Sequence, residues 1–220
     1  MSTPPHITRR PLKSRETKWA AAVARGIAAA GIPPNAISVA GAGFAGLAGV
    51  CLWLAGQRRV DCLWSGLLVL AVVGIQLRLL CNLFDGMVAI EGGLKTKAGE
   101  LFNELPDRFS DAFILIGAGY SVSQPGWVPV LGWAAATLSV ITAYVRALGA
   151  SMGAGQHFIG PMAKQQRMAV MTTGCLAAAF APVWPPMVQI IPAALGMLVT
   201  GCLVTILRRC RRIAQVMESK

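Results

Sequence analysis

The sequence predicts an all-α membrane protein: six transmembrane helices preceded by an amphipathic helix at the cytoplasmic membrane surface. Three observations lead there. Of its 220 residues, 55% are hydrophobic and only 13% charged, where a soluble domain carries roughly 25% charged residues. Mean hydropathy is +0.59. The apolar residues also fall into runs near the length of about 20 that a bilayer requires, with basic residues gathered at their ends. The net charge of +11 would suit a nucleic-acid partner, but its placement argues against one. Arg9, Arg10, Lys13, Arg15 and Lys18 precede the first apolar run, and Arg208, Arg209, Arg211 and Arg212 follow the last. Basic residues flanking spans are a topology signal and a means of touching anionic lipid headgroups.

The elements follow in order. Residues 1–16 read as a basic tail with no early apolar core or small-residue cleavage site, so no cleavable signal peptide is expected; His6 falls within it. Residues 17–32 read as an interfacial helix, with Lys18 and Arg25 on one face and Gly31, Pro33 and Pro34 as its stop. The spans are expected at 36–56, 62–90, 101–121, 128–150, 168–183 and 187–207, within one domain of residues 33–212 that is followed by a tail of 213–220. Pro182, Pro185 and Pro186 mark the turn after the short fifth span. Lys95 and Lys97 follow the second span and Lys164 and Arg167 the fourth, whereas the loops after the third and fifth spans carry no charge. This pattern puts both termini in the cytoplasm; Arg58 and Arg59, after the first span, run against it. The six cysteines form no CxxC pair and read as small hydrophobes within helices.

Polar residues inside spans are costly and usually functional, and here they cluster. Asn82 and Asp85 lie three apart near the end of the second span. Asn103, Asp107 and Asp111 lie four apart near the start of the third. Each set occupies one helix face. About a hairpin turn near Lys95, position 82 faces 107 and 85 faces 103, so the groups should meet close to the cytoplasmic interface. Clustered carboxylates repel unless a positive charge lies between them, and oxygen ligands suit Mg²⁺ or Mn²⁺. Gly86, Ala89 and Gly99 leave room for a bulky group against the backbone. The blander alternative, polar helix packing, is disfavoured by the cost of burying three carboxylates.

These residues resemble the signature of the CDP-alcohol phosphatidyltransferase family. That pattern is D-x-x-D-G-x-x-A-R, eight residues, then G-x-x-x-D-x-x-x-D. The chain reads Asn82-Leu-Phe-Asp85-Gly86-Met-Val-Ala89-Ile90, eight residues, then Gly99-Glu-Leu-Phe-Asn103-Glu-Leu-Pro-Asp107. Every spacing matches. Pro34-Asn35-Ala-Ile37-Ser38 is similar to the segment opening the family's first span, and Gly160-Pro161-Met-Ala-Lys164 to the basic loop before its fifth. Asn82 and Asn103 replace the first and third aspartates and Ile90 replaces the arginine, which resembles a divergent bacterial branch of the family.

The resemblance implies a six-span enzyme of phospholipid synthesis in the bacterial inner membrane, acting as a homodimer on CDP-diacylglycerol or another CDP-alcohol donor. It implies Mg²⁺ or Mn²⁺ held by Asp85 and Asp107 with help from Asn82 and Asn103; Asp111, one turn beyond Asp107 and outside the signature, is a candidate metal ligand that would supply a missing carboxylate. Asp107 would be the general base toward a small polar alcohol or lipid acceptor. Gly86, Ala89 and Gly99 would border the cytidine. Arg146, in the fourth span, either binds an anionic acceptor or lipid phosphate or pairs with Asp111 or another carboxylate. Lys164 and Arg167 either hold phosphate or serve as topology charges. Arg78 either snorkels to headgroups or pairs with Asp107. Arg108 is either a phosphate ligand or a surface charge, and His157 reads as a loop histidine without a metal. Two further functional classes stay open. One is a binding protein of the same fold that has lost catalysis through Asn82, Asn103 and Ile90. The other is a small transporter, against which the absence of an inverted repeat counts.

Overall fold

The structure, a computed structural model, describes residues 17–91 and 99–219. The basic tail and the loop carrying Lys95 and Lys97 lie outside the described residues. Seven α-helices follow one another among the described residues: α1 (Lys18–Ala29), α2 (Pro34–Gly56), α3 (Cys62–Glu91), α4 (Gly99–Tyr120), α5 (Val128–Ser151), α6 (Lys164–Ala178) and α7 (Ile190–Glu218), with a 3₁₀ turn at Pro185–Gln189 before α7. Among the described residues four stretches are long and apolar enough to cross a membrane: Pro34–Gly56, Cys62–Ile90, Val128–Ser151 and Pro185–Glu218. The outward faces of these helices are apolar, with Leu47, Val50, Trp53, Leu70, Val130, Trp133 and Met197 all exposed. Such a belt is far larger than a soluble protein leaves uncovered, and it identifies a membrane protein.

The remaining two long helices differ from that apolar type for identifiable reasons. α4 has 22 residues, about 33 Å at 1.5 Å per residue, but its first half carries the charged cluster. α6 has 15 residues and ends at Ala178, short of the expected 168–183. The chain then turns through Ala179 to Trp184. α7 runs on to Glu218, well beyond the expected end at 207. Its last turns are held by Ile213, which packs with Val145 and Ala154, and by Val216 and Met217 beside them.

Local sequence explains the helix starts. Pro34 opens α2 at the first helical position, where its missing N–H costs nothing and its φ is already suitable. α1 packs Ala20 and Ala24 against Ile37, Leu83, Phe84, Met87 and Val88, so the amphipathic helix lies across the end of α3 that carries the polar cluster.

The main core joins α2, α3, α4, α5, α6 and α7 through residues such as Leu52, Leu68, Ile75, Ile114, Leu115, Met171 and Leu195. α2 packs closely against both α3 and α4, whereas α3 and α4 meet each other at few points. Small residues permit that closeness. A Cβ added to Gly49 would stand 2.5 Å from the Phe113 carbonyl oxygen, and one added to Gly117 would stand 2.5 Å from the Gly49 carbonyl oxygen. Backbones thus touch where side chains would ordinarily keep helices 8–10 Å apart. With α2 filling one side of the hairpin, α3 and α4 stand apart near the polar cluster and leave a cleft between them.

Candidate active site

The cleft is lined by Ser38 and Gly41 of α2, Arg78, Asn82 and Asp85 of α3, and Asn103, Pro106, Asp107 and Ser110 of α4. Position 82 does face 107: Asn82 Nδ2 donates to Asp107 Oδ1 at 3.3 Å and Oδ2 at 3.4 Å, and to Asn103 Oδ1 at 3.2 Å. The same register continues one turn deeper, where Arg78 Nη2 donates to Asp107 Oδ1 at 3.3 Å and to Asp111 Oδ1 at 2.8 Å. Asp85 instead receives the Ser38 hydroxyl at 2.7 Å on Oδ2. This bond gives the Pro34–Ser38 segment a role in the site.

The loop before α6 leads into the first turn of that helix, which supplies two more cations to the cluster. Lys164 Nζ is ion-paired to Asp107 Oδ2. Arg167, one turn later, donates from Nη2 to Asp111 Oδ2 at 2.5 Å and from Nη1 to the Met162 carbonyl at 2.9 Å. That loop is fixed from α7, where the Thr205 hydroxyl oxygen accepts the Met162 N–H at 3.0 Å. Gly160 enters the loop at φ 113°, with Thr205 packed where a Cβ would stand. Only glycine suits both that backbone conformation and that contact.

Burial sorts the carboxylates into two groups. Asp111 is fully buried, and its partners Arg78 and Arg167 are 1% and 2% exposed. Both its oxygens are taken by guanidinium groups, which makes it an ion-pair anchor behind the cleft. Asp107 faces the cleft between Arg78, Lys164 and Asn82. Among the described residues Asp85 forms no ion pair, and its direct donors are the Ser38 hydroxyl and the Gly86 backbone N–H.

The donor set fits a hard divalent cation at the Asp85 end. Asp85 lines the cleft and meets only neutral donors directly, the Ser38 hydroxyl and the Gly86 backbone N–H, among the described residues. Asn82, having turned its NH₂ toward Asn103 and Asp107, has its carbonyl oxygen left over. Among the described residues no three His, Cys, Asp or Glu side chains stand close enough to cage an ion, so such a cation would take much of its shell from phosphate and water, as Mg²⁺ commonly does.

Other expected residues fall outside the cleft. Gly86 and Ala89 continue α3 beyond Asp85, and Gly99 opens α4; none is among the described residues lining the cleft. Arg146 is engaged within the protein, donating to Glu104 Oε1 at 2.6 Å and Gln156 Oε1 at 2.9 Å, with its guanidinium 5.6 Å from the Phe158 ring centroid. Of its two readings the contacts favour the ion pair, with Glu104 as the carboxylate. Arg108 pairs with the other Glu104 oxygen at 3.0 Å. Sequence reasoning missed Ser38 as a partner of Asp85, and Glu104 altogether. A single acidic residue one position after Asn103, on a different helix face, carries no periodic signal. The cysteines are all free, and Cys62 and Cys210 are exposed rather than buried.

No protein-family model and no curated protein sequence matches this chain. Solved structures do. The Mycobacterium tuberculosis phosphatidylinositol phosphate synthase with CDP-DAG bound aligns at a TM-score of 0.71 and 20% identity, over 90% of this chain and 94% of that one. The same enzyme in complex with manganese and citrate aligns at 0.71 and 19%, over 88% of each chain. Its apo form aligns at 0.68 and 18%, over 87% and 94%. With a likeness that spans nearly the whole of both chains, and a hairpin cleft at the signature's spacing, this chain has the fold of phosphatidylinositol phosphate synthase, a CDP-alcohol phosphatidyltransferase.

Proposed function

We propose that the chain is a CDP-alcohol phosphotransferase of phospholipid synthesis. It transfers a phosphatidyl or phospho-alcohol group from a CDP-linked donor, with CDP-diacylglycerol as the first choice, to an alcohol acceptor and releases CMP. The observation carrying this reading is the convergence of Asn82, Asp85, Asn103 and Asp107 on one cleft at the family's spacing. The CDP-DAG and the manganese bound by the structural neighbour support it. In this reading α4 and α6 complete six spans, both termini and the cleft face the cytoplasm of a bacterial inner membrane, and the protein pairs as a homodimer.

Asp85 with Asn82, and with Asn103 beside it, would hold Mg²⁺ or Mn²⁺; when bound, the cation supplies charge neutralisation for the phosphoryl group and the departing phosphate. The protein's own groups do the rest. Asp107 accepts the proton of the acceptor hydroxyl. The acceptor oxygen then bonds to phosphorus, and the bond from that phosphorus to the CMP oxygen breaks, with CMP keeping the electron pair. Lys164, paired with Asp107, lies where it can meet the negative charge that develops. Gly86, Ala89 and Gly99 remain proposed neighbours of the cytidine.

The test is CMP release by the purified protein with CDP-diacylglycerol, Mg²⁺ or Mn²⁺ and a pool of polar alcohols, with CDP-linked head groups also tried. Metal-dependent release that Asp107→Asn lowers by about 10²–10⁴-fold is the expected result. No release above that variant under any of these conditions would leave a CDP-lipid-binding protein without catalysis.

A further inference from the structure

The cation complement of the cleft is unusual for a site meant to be neutralised by metal alone. Asn82 and Asn103 stand where the family signature has aspartate, so two negative charges are missing. At the same time fixed cations enter. Arg78 is 1% exposed and lines the cleft. One nitrogen, Nη2, bridges Asp107 and Asp111. Its other two, Nε and Nη1, are buried with no hydrogen-bond partner among the described residues. Unpaired buried donors of a charged group are expensive, and they make sense where a ligand supplies the acceptor. Nε and Nη1 lie on different edges of the guanidinium, so each needs an acceptor oxygen of its own, and a charged oxygen of a phosphate serves well.

From this we infer that Arg78 occupies the place of one divalent cation. Its Nη2 bridges the α4 carboxylates, and its buried Nε and Nη1 are kept as separate donors for oxygens of the donor's phosphates, with Lys164 as its helper at Asp107. The charges agree. Asp107 and Asp111 are paired with Arg78, Lys164 and Arg167 before anything binds, three cations that equal in number the cleft carboxylates Asp85, Asp107 and Asp111, while Glu104 beside them is already held by Arg108 and Arg146. A donor pyrophosphate brings two negative charges, which one divalent ion balances. A second ion would leave uncompensated positive charge among buried groups, which is costly. The site therefore takes one metal ion, at the Asp85 and Asn82 end. This inference rests on the proposed reading of the cleft as a CDP-donor site, but its test is separate from the CMP assay.

The full-length protein in nanodiscs would be titrated with Mn²⁺ alone and then with CDP present, with free Mn²⁺ counted by electron paramagnetic resonance. One ion per chain is expected. Two ions of comparable affinity, or none, overturns the inference. CDP binding in EDTA, followed by calorimetry, gives the second arm: the protein should bind CDP without metal, and Arg78→Lys should weaken that binding at least tenfold. Arg78→Lys keeps a charge between Asp107 and Asp111, so the fold is retained more readily than with a neutral residue; the ion count needs no variant at all. Loss of all CDP binding in EDTA, or unchanged binding by a folded Arg78→Lys protein, counts against the role of Arg78. A protein that binds one Mn²⁺ and releases no CMP keeps the charge arrangement and loses the catalytic reading, whereas CMP release with two bound ions does the reverse.

Discussion

Asp111 and Asp107 are one helical turn apart on the same face of α4, yet they do different work. Asp111 is shut between Arg78 and Arg167, so removing its charge leaves two buried cations facing a neutral amide. Breaking a buried pair from one side costs on the order of 3–5 kcal/mol. Asp111→Asn should therefore lower thermal stability in detergent clearly, where Asp107→Asn removes activity with a smaller loss of stability. Equal destabilisation by the two variants would contradict this division. Ser38 offers a finer test. Its hydroxyl donates to Asp85 at 2.7 Å, and a hydrogen bond to a charged group contributes about 1.5–3 kcal/mol. Ser38→Ala should reduce CMP release roughly tenfold or more and raise the Mn²⁺ concentration needed, with the unfolding temperature little changed.

At the scale of helices, α2 shapes the site while contributing only Ser38 and Gly41 to its lining. It approaches α4 at Gly49 and Gly117 until backbone meets backbone. A side chain there has nowhere to go, and overpacking of this kind costs about 1–3 kcal/mol. Gly49→Val should destabilise the protein, and by pushing α2 from α4 it should also weaken metal binding through displacement of Ser38. Gly43 lies on the same helix with nothing within 4 Å of an added Cβ, so Gly43→Val should be neutral in the same unfolding and binding measurements. A loss at Gly43 as large as at Gly49 would show that Gly43 meets a partner in the membrane, such as the second copy of a homodimer. Pro106 marks a second local conflict. It removes one backbone donor inside α4 immediately before Asp107, and its own carbonyl receives the Ser110 hydroxyl at 2.8 Å. A proline within a helix ordinarily costs about 3 kcal/mol, and here the residue forms part of the cleft wall.

The whole molecule places its polar cluster at one end, and at the other end the connections after α4 and α6 are uncharged while the one after α2 carries Arg58, Arg59 and Asp61. Natural cysteines mark the two ends: Cys62 opens α3 and Cys210 lies in the last turns of α7, and both are exposed. If both termini face the cytoplasm, a membrane-impermeant maleimide added to spheroplasts should label Cys62 and spare Cys210 until the membrane is opened. The opposite pattern would invert the topology and put the cleft outside. The test matters because Arg58 and Arg59, close to Cys62, are the basic residues that oppose the proposed orientation.

Much of this was legible in the chain itself because the signals are local. Apolar run length and flanking charge located α2, α3 and α5 to within a residue or two, since the cost of an unpaired backbone in lipid leaves helix as the solution for such segments. The spacing of Asn82, Asp85, Asn103 and Asp107 is enough to put them on facing sides of a hairpin, and Asn82 does meet Asp107. Length and composition were less informative for α6 and α7, whose ends depend on what they pack against: α6 stops at Ala178, and α7 persists to Glu218 because Ile213 finds Val145 and Ala154. Only the tertiary structure decided which charges face one another. Lys164 and Arg167 are more than fifty residues from Asp107 and Asp111 along the chain, and no periodicity relates them. Their pairing is settled by Thr205 holding the loop before α6, and by α2 keeping α3 and α4 apart so that a cleft exists. Charges pair by distance in space, and sequence spacing fixes that distance only within one helix or across one short turn.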